Sequence, residues 1–275
     1  MKISRRTFFY SAVPAIPAVA YPVLIEPRWF DVTHTPVRVG LRQPVRVLHL
    51  SDLHLSSVFS LARIQDAITA GLATRPDLIC LTGDYVTVWG RVSTADYPAA
   101  LRRLSQAAPT FAVVGNHDGG LWTQGHGGAR DHSAVDRILE SAGIELLQNR
   151  FRRVEIRGEK LAVAGVGDLW GDEIDAGAAL GSIPESDRVI LLSHNPDSKG
   201  MFARHRWDLM LSGHTHGGQV ILPLLGESYA PVVDKNYVAG LKPWQGRQIF
   251  ITRGVGNVAG VRFNCRPEVS VLELA

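Results

Sequence analysis

Asp52, His54, Asp84, Asn116, His194, His214 and His216 are seven oxygen and imidazole donors, and no thiolate stands among them. Each follows the same local pattern, an apolar run and a small residue. Val47-Leu48-His49-Leu50-Ser51 leads to Asp52-Leu53-His54, and Leu78-Ile79-Cys80-Leu81-Thr82-Gly83 leads to Asp84. Phe111-Ala112-Val113-Val114-Gly115 leads to Asn116-His117-Asp118, Val189 to Ser193 leads to His194, and Leu209 to Gly213 leads to His214-Thr215-His216. A lone histidine is usually structural, but five repeats of one pattern are hard to explain by core packing. Donors of this kind suit Mn²⁺, Zn²⁺ or Fe without choosing among them, and seven exceed what one four- to six-coordinate ion needs. A centre of two metal ions is implied.

The apolar runs read as buried strands of parallel sheets, whose carboxyl ends open onto the ligand crevice of α/β folds. Strand Val45–Leu50, a helix near Leu61–Ala73, strand Leu78–Thr82, a helix near Tyr97–Ala107 stopped by Pro109, and strand Thr110–Val114 make a right-handed βαβαβ unit. Residues 119–132 are too glycine-rich for a regular element and read as a loop shaping a pocket, with His126 and His132 on its surface. A helix near Ser133–Ala142 follows, and alternating strands near Ile144–Leu147, Phe151–Ile156 and Leu161–Val166 suggest a second sheet. At Gly165 to Trp170 the chain turns, so that Asp168 and Trp170 either border the site or form a tight turn with a packed indole. Strands Val189–Leu192, Leu209–Leu211, Tyr237–Leu241, Ile249–Thr252 and Val269–Leu272 are expected to close the sandwich.

A chain of 275 residues with 45% apolar composition can bury one full-sized catalytic domain, placed at residues 31–275. The formal charge of +3 is carried by Lys2, Arg5 and Arg6, leaving a neutral body without the basic footprint of a nucleic-acid binder. Residues 4–10, Ser-Arg-Arg-Thr-Phe-Phe-Tyr, resemble a twin-arginine export signal, followed by an uncharged stretch to Ile25 and the small-residue pattern Ala18-Val19-Ala20. Pro14, Pro17 and Pro22 favour a leader over a stable spanning helix. Residues 1–30 are therefore expected to be a signal or anchor with its linker, read by the twin-arginine machinery. The body would then lie in the periplasm or at the outer face of the cytoplasmic membrane. Residues 26–44 read as linker into a first strand near Val37–Leu41. Cys80 reads as a small buried hydrophobe, and a disulfide with Cys265 requires that the two α-carbons come within about 7 Å.

The set Asp52-Leu53-His54, Gly83-Asp84, Gly115-Asn116-His117-Asp118, His194 and Gly213-His214-Thr215-His216 resembles the calcineurin-like metallophosphoesterases, all five motifs in order. The resemblance implies an α/β fold, a four-layer αββα sandwich of two mixed sheets flanked by helices. It implies that Asp52, His54 and His216 hold one divalent metal, that Asn116, His194 and His214 hold the other, and that Asp84 bridges them. Two such cations polarise phosphoryl oxygens and activate a water for in-line attack. His117 is left over to protonate the leaving oxygen, with Asp118 orienting it. The protein phosphatases of the superfamily carry Asp-Arg-Gly after the bridging aspartate, whereas Tyr85-Val86-Thr87 follows Asp84 here. The expected substrate is a small-molecule or lipid-linked phosphodiester. The alternatives are a lipid or sugar-nucleotide pyrophosphate of the UDP-2,3-diacylglucosamine kind, or a non-catalytic metal-binding scaffold, which has no need of His117.

Overall fold

The computed structural model describes residues 20–126, 128–223 and 230–275; the leader motif at residues 4–10 lies outside them. Strands β1 (Asp31–Val37), β2 (Val45–Leu50), β3 (Leu78–Thr82), β4 (Thr110–Val113) and β5 (Glu145–Leu146) share one sheet with β12 (Glu268–Leu274), in the order β1-β12-β2-β3-β4-β5. The second sheet has the order β10-β11-β9-β8-β7-β6, built from β6 (Arg150–Ile156), β7 (Glu159–Gly165), β8 (Arg188–Leu192), β9 (Leu209–Ser212), β10 (Gly240–Trp244) and β11 (Arg247–Ile251). Both sheets are mixed. The central runs β2-β3-β4 and β7-β8-β9 are parallel.

Alternation along the strands builds three apolar layers, because successive side chains point to opposite faces. Leu48 and Leu50 of β2, with Ile79 and Leu81 of β3, face outward onto helices α1 (Leu61–Leu72), α2 (Tyr97–Ser105) and α4 (Ser133–Ser141). In α1 the buried Ile64, Ala67, Ile68 and Gly71 form one helical stripe against that sheet. Val47, Leu78, Cys80 and Val113 face inward and meet Val163, Ile190, Leu192 and Leu211 of the second sheet. Behind the second sheet, Ala162, Leu191 and Met210 pack on α5 (Ala176–Leu180) and on Phe202 of the 3-10 segment Pro196–Phe202. Each such buried aliphatic side chain contributes roughly 1.5–3 kcal/mol. The result is the αββα sandwich expected.

Several elements differ from expectation. The first strand is Asp31–Val37, inside the stretch read as a linker. Its alternation of exposed and half-buried residues, with Pro36 at an exposed position, suits an edge strand bonded only to β12. The short strand after α4, β5, joins the first sheet beside β4, and β12 returns to the first sheet between β1 and β2. The glycine-rich stretch contains a short helix, α3 (Gly120–Gly125). The segment near Tyr237 is a 3-10 turn, Lys235–Tyr237, and the strand starts only at Gly240. Cys80 and Cys265 are both free thiols. Among the described residues no helix is long and apolar enough to cross a membrane.

Candidate metal centre

All seven candidate ligands emerge from the carboxyl ends of parallel strands, three groups from β2, β3 and β4 and two from β8 and β9, where the sheets face each other. Each is buried. Five of them, Asp52, His54, Asp84, His214 and His216, hold left-handed backbone with φ of 53°, 46°, 59°, 67° and 51°. Such a conformation costs a non-glycine residue on the order of 1–2 kcal/mol, so the surrounding loops must enforce it. Two glycines let the backbones close in. A β-carbon on Gly213 would lie 2.2 Å from Asp52 Oδ2, and one on Gly115 would lie 2.3 Å from Asp84 Oδ1.

Asp84 Oδ2 sits between two histidines, 3.4 Å from His54 Nε2 and 3.3 Å from His194 Nε2. On one side His54 Nε2 is 3.1 Å from His216 Nε2, which is 3.5 Å from Asp52 Oδ1. On the other, His194 Nε2 is 3.2 Å from His214 Nδ1. Ligand atoms of Asp52, His54 and His216, and separately of Asp52, Asp84 and His194, lie close enough together to hold a cation. The donors also fit a metal in their second nitrogens. His194 Nδ1–H donates to Thr82 O at 2.6 Å and His214 Nε2–H to Pro231 O at 3.1 Å, so that in each neutral ring the lone pair is on the nitrogen that faces the centre. Asn116 Oδ1 is buried without a hydrogen-bond partner. A buried acceptor without a partner, one residue from Gly115, which packs on Asp84 and His194, is what a cation would satisfy.

Electrostatics divide the ligands. Burial and neighbouring imidazoles push His216 far below the usual range and His214 down to about 3, so both stay neutral as ligands must. Burial also works against the His194 imidazolium, but Asp84, Asp52 and Asp168 outweigh it and raise His194 to about 10. Asp84 is held well below its ordinary value: burial opposes ionisation, and His194 and His117 overcome it.

His117 Nδ1–H donates to Thr87 O at 2.9 Å, which presents Nε2 toward the site; its ring meets His54 edge-on at 4.9 Å. His117 also lies within metal-holding reach of His54 and Asp84. Against the expectation that Asp118 orients His117, the hydrogen bonds of Asp118 among the described residues do not go to the His117 ring. Its carboxylate accepts N–H groups from Asp84, Tyr85 and Gly115 at 2.8, 2.9 and 2.8 Å, tying the ends of β3 and β4 together. Trp170 borders the site, edge-on to His214 at 4.4 Å, and reaches Trp122, which packs on His117. Asp168 is buried beside it, with Oδ1 unpartnered, and burial raises its carboxyl to about 6. His126 is an exposed loop residue stacked on Trp122. His132 is instead buried, 2.8 Å from Glu173 Oε2.

Thr87 was invisible to motif reading. Its hydroxyl lies 3.2 Å from His54 Nδ1 while its carbonyl holds His117. A threonine three residues beyond Asp84 carries no signal of that double role.

The chain belongs to the calcineurin-like phosphoesterase family, whose model matches residues 45–218. It is 40% identical to the phosphodiesterase YaeI of Escherichia coli, over 99% of both chains. It is also 29% identical to the metallophosphoesterase YkuE of Bacillus subtilis over 99% of this chain and 98% of that one. The UDP-2,3-diacylglucosamine pyrophosphatase LpxG of Chlamydia muridarum is 23% identical over 96% of this chain and 97% of that one. The fold is shared with a 5'-nucleotidase precursor from Thermus thermophilus, at a TM-score of 0.50 and 12% identity over 84% of this chain and 55% of that one.

Proposed function

We propose that this metallophosphoesterase is a phosphodiesterase with two divalent metal ions, one held by Asp52, His54 and His216, the other by Asn116, His194 and His214, with Asp84 shared. The observation that carries this reading is the place of Asp84 Oδ2, between His54 and His194 at nearly equal distances. When bound, such cations neutralise phosphate charge and acidify water for in-line attack. The chain itself supplies the rest. Asp84 accepts the N–H of His117 at 2.9 Å through Oδ1, fixing the acid relative to the centre. His117 Nε2–H then delivers a proton to the leaving oxygen. Thr87 keeps that imidazole in one tautomer and Trp122 limits its swing.

Room exists for both arms of a diester. A cavity of about 570 Å³ lies on the Thr87 side, bounded by Val58, Trp89 and Arg91, and one of about 310 Å³ lies beside His216. Both touch Val258. The similarity to YaeI favours the diester assignment, and the apolar Val58, Val88 and Val258 leave a lipid or sugar-nucleotide pyrophosphate as the second reading. Elemental analysis of purified protein with a panel of diesters, monoesters and pyrophosphates tests this. Two metals and a preference for diesters are expected; full activity after metal removal, or a preference for monoesters, would refute it.

Export by the twin-arginine machinery, to the periplasm or the outer face of the cytoplasmic membrane, is part of the same proposal. It is supported by Arg5-Arg6 and the basic excess at this end. Residues 1–30 fused to a reporter should be exported, and Arg5→Lys with Arg6→Lys should block it. Unchanged export of the double-lysine fusion would point to another route.

A further inference from the structure

Arg262 is fully buried although it carries a charge. All of its oxygen partners among the described residues are main-chain carbonyls: His216 and Cys265 through one terminal nitrogen at 3.3 and 3.1 Å, and Arg253, Gly254 and Gly256 through the other at 2.7, 3.2 and 2.6 Å. His216 and the 253–256 carbonyls belong to different loops, and Cys265 to the arginine's own turn. One loop carries His216. The other backs Asp52, since Val255 N–H donates to Ser51 O, Gly256 N–H donates to Asp52 O at 2.7 Å, and Gly254 is pressed against the Asp52 side chain.

A second buried charge secures the arginine's own loop. Glu26, 1% exposed, accepts the N–H of Asn264 at 3.0 Å and that of Cys265 at 2.5 Å. Pro22 O accepts the Arg262 N–H at 2.8 Å, and the Arg266 guanidinium lies 4.0 Å over the Trp29 ring. Cys265 in turn donates from Sγ to the carbonyls of His216 and Gly217 at 3.2 and 3.3 Å. A chain of contacts therefore runs from residues 22–29 through Arg262 to the left-handed backbone of Asp52 and His216. Removing such a buried donor leaves its acceptors unpartnered, at a cost in stability. A planar fork of donors that spans two loops also fixes their geometry.

We propose that Arg262, locked by Glu26, is a positioning residue for the first metal site, holding the His216 loop and the 253–257 loop at the separation that Asp52, His54 and His216 require. The residues just after the leader are then a working part of the catalytic body. This rests on the metal-centre reading above.

Manganese binding by the full chain tests it in two backgrounds. In His194→Ala, which removes a ligand of the second site, Arg262→Met should weaken the remaining Mn²⁺ binding by about 10- to 100-fold, the usual effect of losing an outer-shell partner. In His54→Ala, which removes a first-site ligand, the same change should leave Mn²⁺ affinity unaltered. Thermal unfolding of the metal-free chains checks that the fold persists. Should Arg262→Met fail to fold, Glu26→Gln, with one acceptor oxygen for two N–H groups, must show a smaller loss confined to the first site. Equal weakening in both backgrounds, or none in either, overturns the proposal alone. An unsubstituted chain that binds no Mn²⁺ overturns the metal-centre reading and this inference with it.

Discussion

Asp118 Oδ2 accepts the main-chain N–H of Asp84 at 2.8 Å, so one aspartate sets the left-handed backbone on which the other stands. The same carboxylate takes the N–H groups of Tyr85 and Gly115. Asp118→Ala leaves three buried donors without their acceptor, at about 1–3 kcal/mol for each one left unsatisfied. Denaturant unfolding should show a loss of about 3 kcal/mol or more, with Asp118→Asn losing less because it keeps one acceptor oxygen. A loss below about 0.5 kcal/mol for the alanine variant, the range of ordinary surface changes, would remove Asp118 from this role.

His117→Ala should act selectively. An alkyl leaving group needs a proton, so the variant should be slower on the order of 10²- to 10⁴-fold. A p-nitrophenolate departs unprotonated, so its rate should fall far less, with both metals still bound. Burial lowers the His117 pKa against the pull of Asp84. The acid form is therefore the low-pH form, and the advantage of the unsubstituted enzyme on the alkyl substrate should shrink as pH rises above that lowered value. Equal slowing of both substrates at full metal occupancy, or loss of metal, would make His117 a phosphate-binding donor or a ligand.

Metal binding should release a proton. Without metal, His194 is held near 10 by Asp84, Asp52 and Asp168 against the effect of burial, so at pH 7 it is protonated. Coordination through Nε2 requires the neutral ring. His214 and His216 are already neutral and contribute none. Calorimetry at pH 7 in buffers of different ionisation enthalpy should give about one proton released per chain from His194, and affinity should rise about tenfold per pH unit below 10. Zero release would contradict the assignment of His194.

Much of the site was legible in the sequence because its signals are local. An apolar run, a small residue and a donor occupy fewer than ten consecutive positions at Asp84, Asn116 and His214, and the strand that precedes each one fixes which sheet edge it reaches. Relationships set by distant partners were not legible. His132 looked like a surface histidine because Glu173, its partner, is 41 residues away. Asp118 follows His117 directly, yet its carboxylate turns to the end of β3. Strand β1 lacks an apolar run because it needs only the neighbouring β12, and the role of Arg262 depends on carbonyls of the His216 loop and the distant 253–257 loop.

The most direct test is metal content of Asp84→Asn beside the unsubstituted chain. Asp84 Oδ2 lies between His54 and His194, one from each histidine set, and its anionic form is favoured by His194 and His117 despite burial. Elemental analysis should find two divalent metals in the unsubstituted chain and depleted occupancy of both sites in the variant, with diester hydrolysis abolished. Two metals per chain still bound after Asp84→Asn would contradict a shared Asp84.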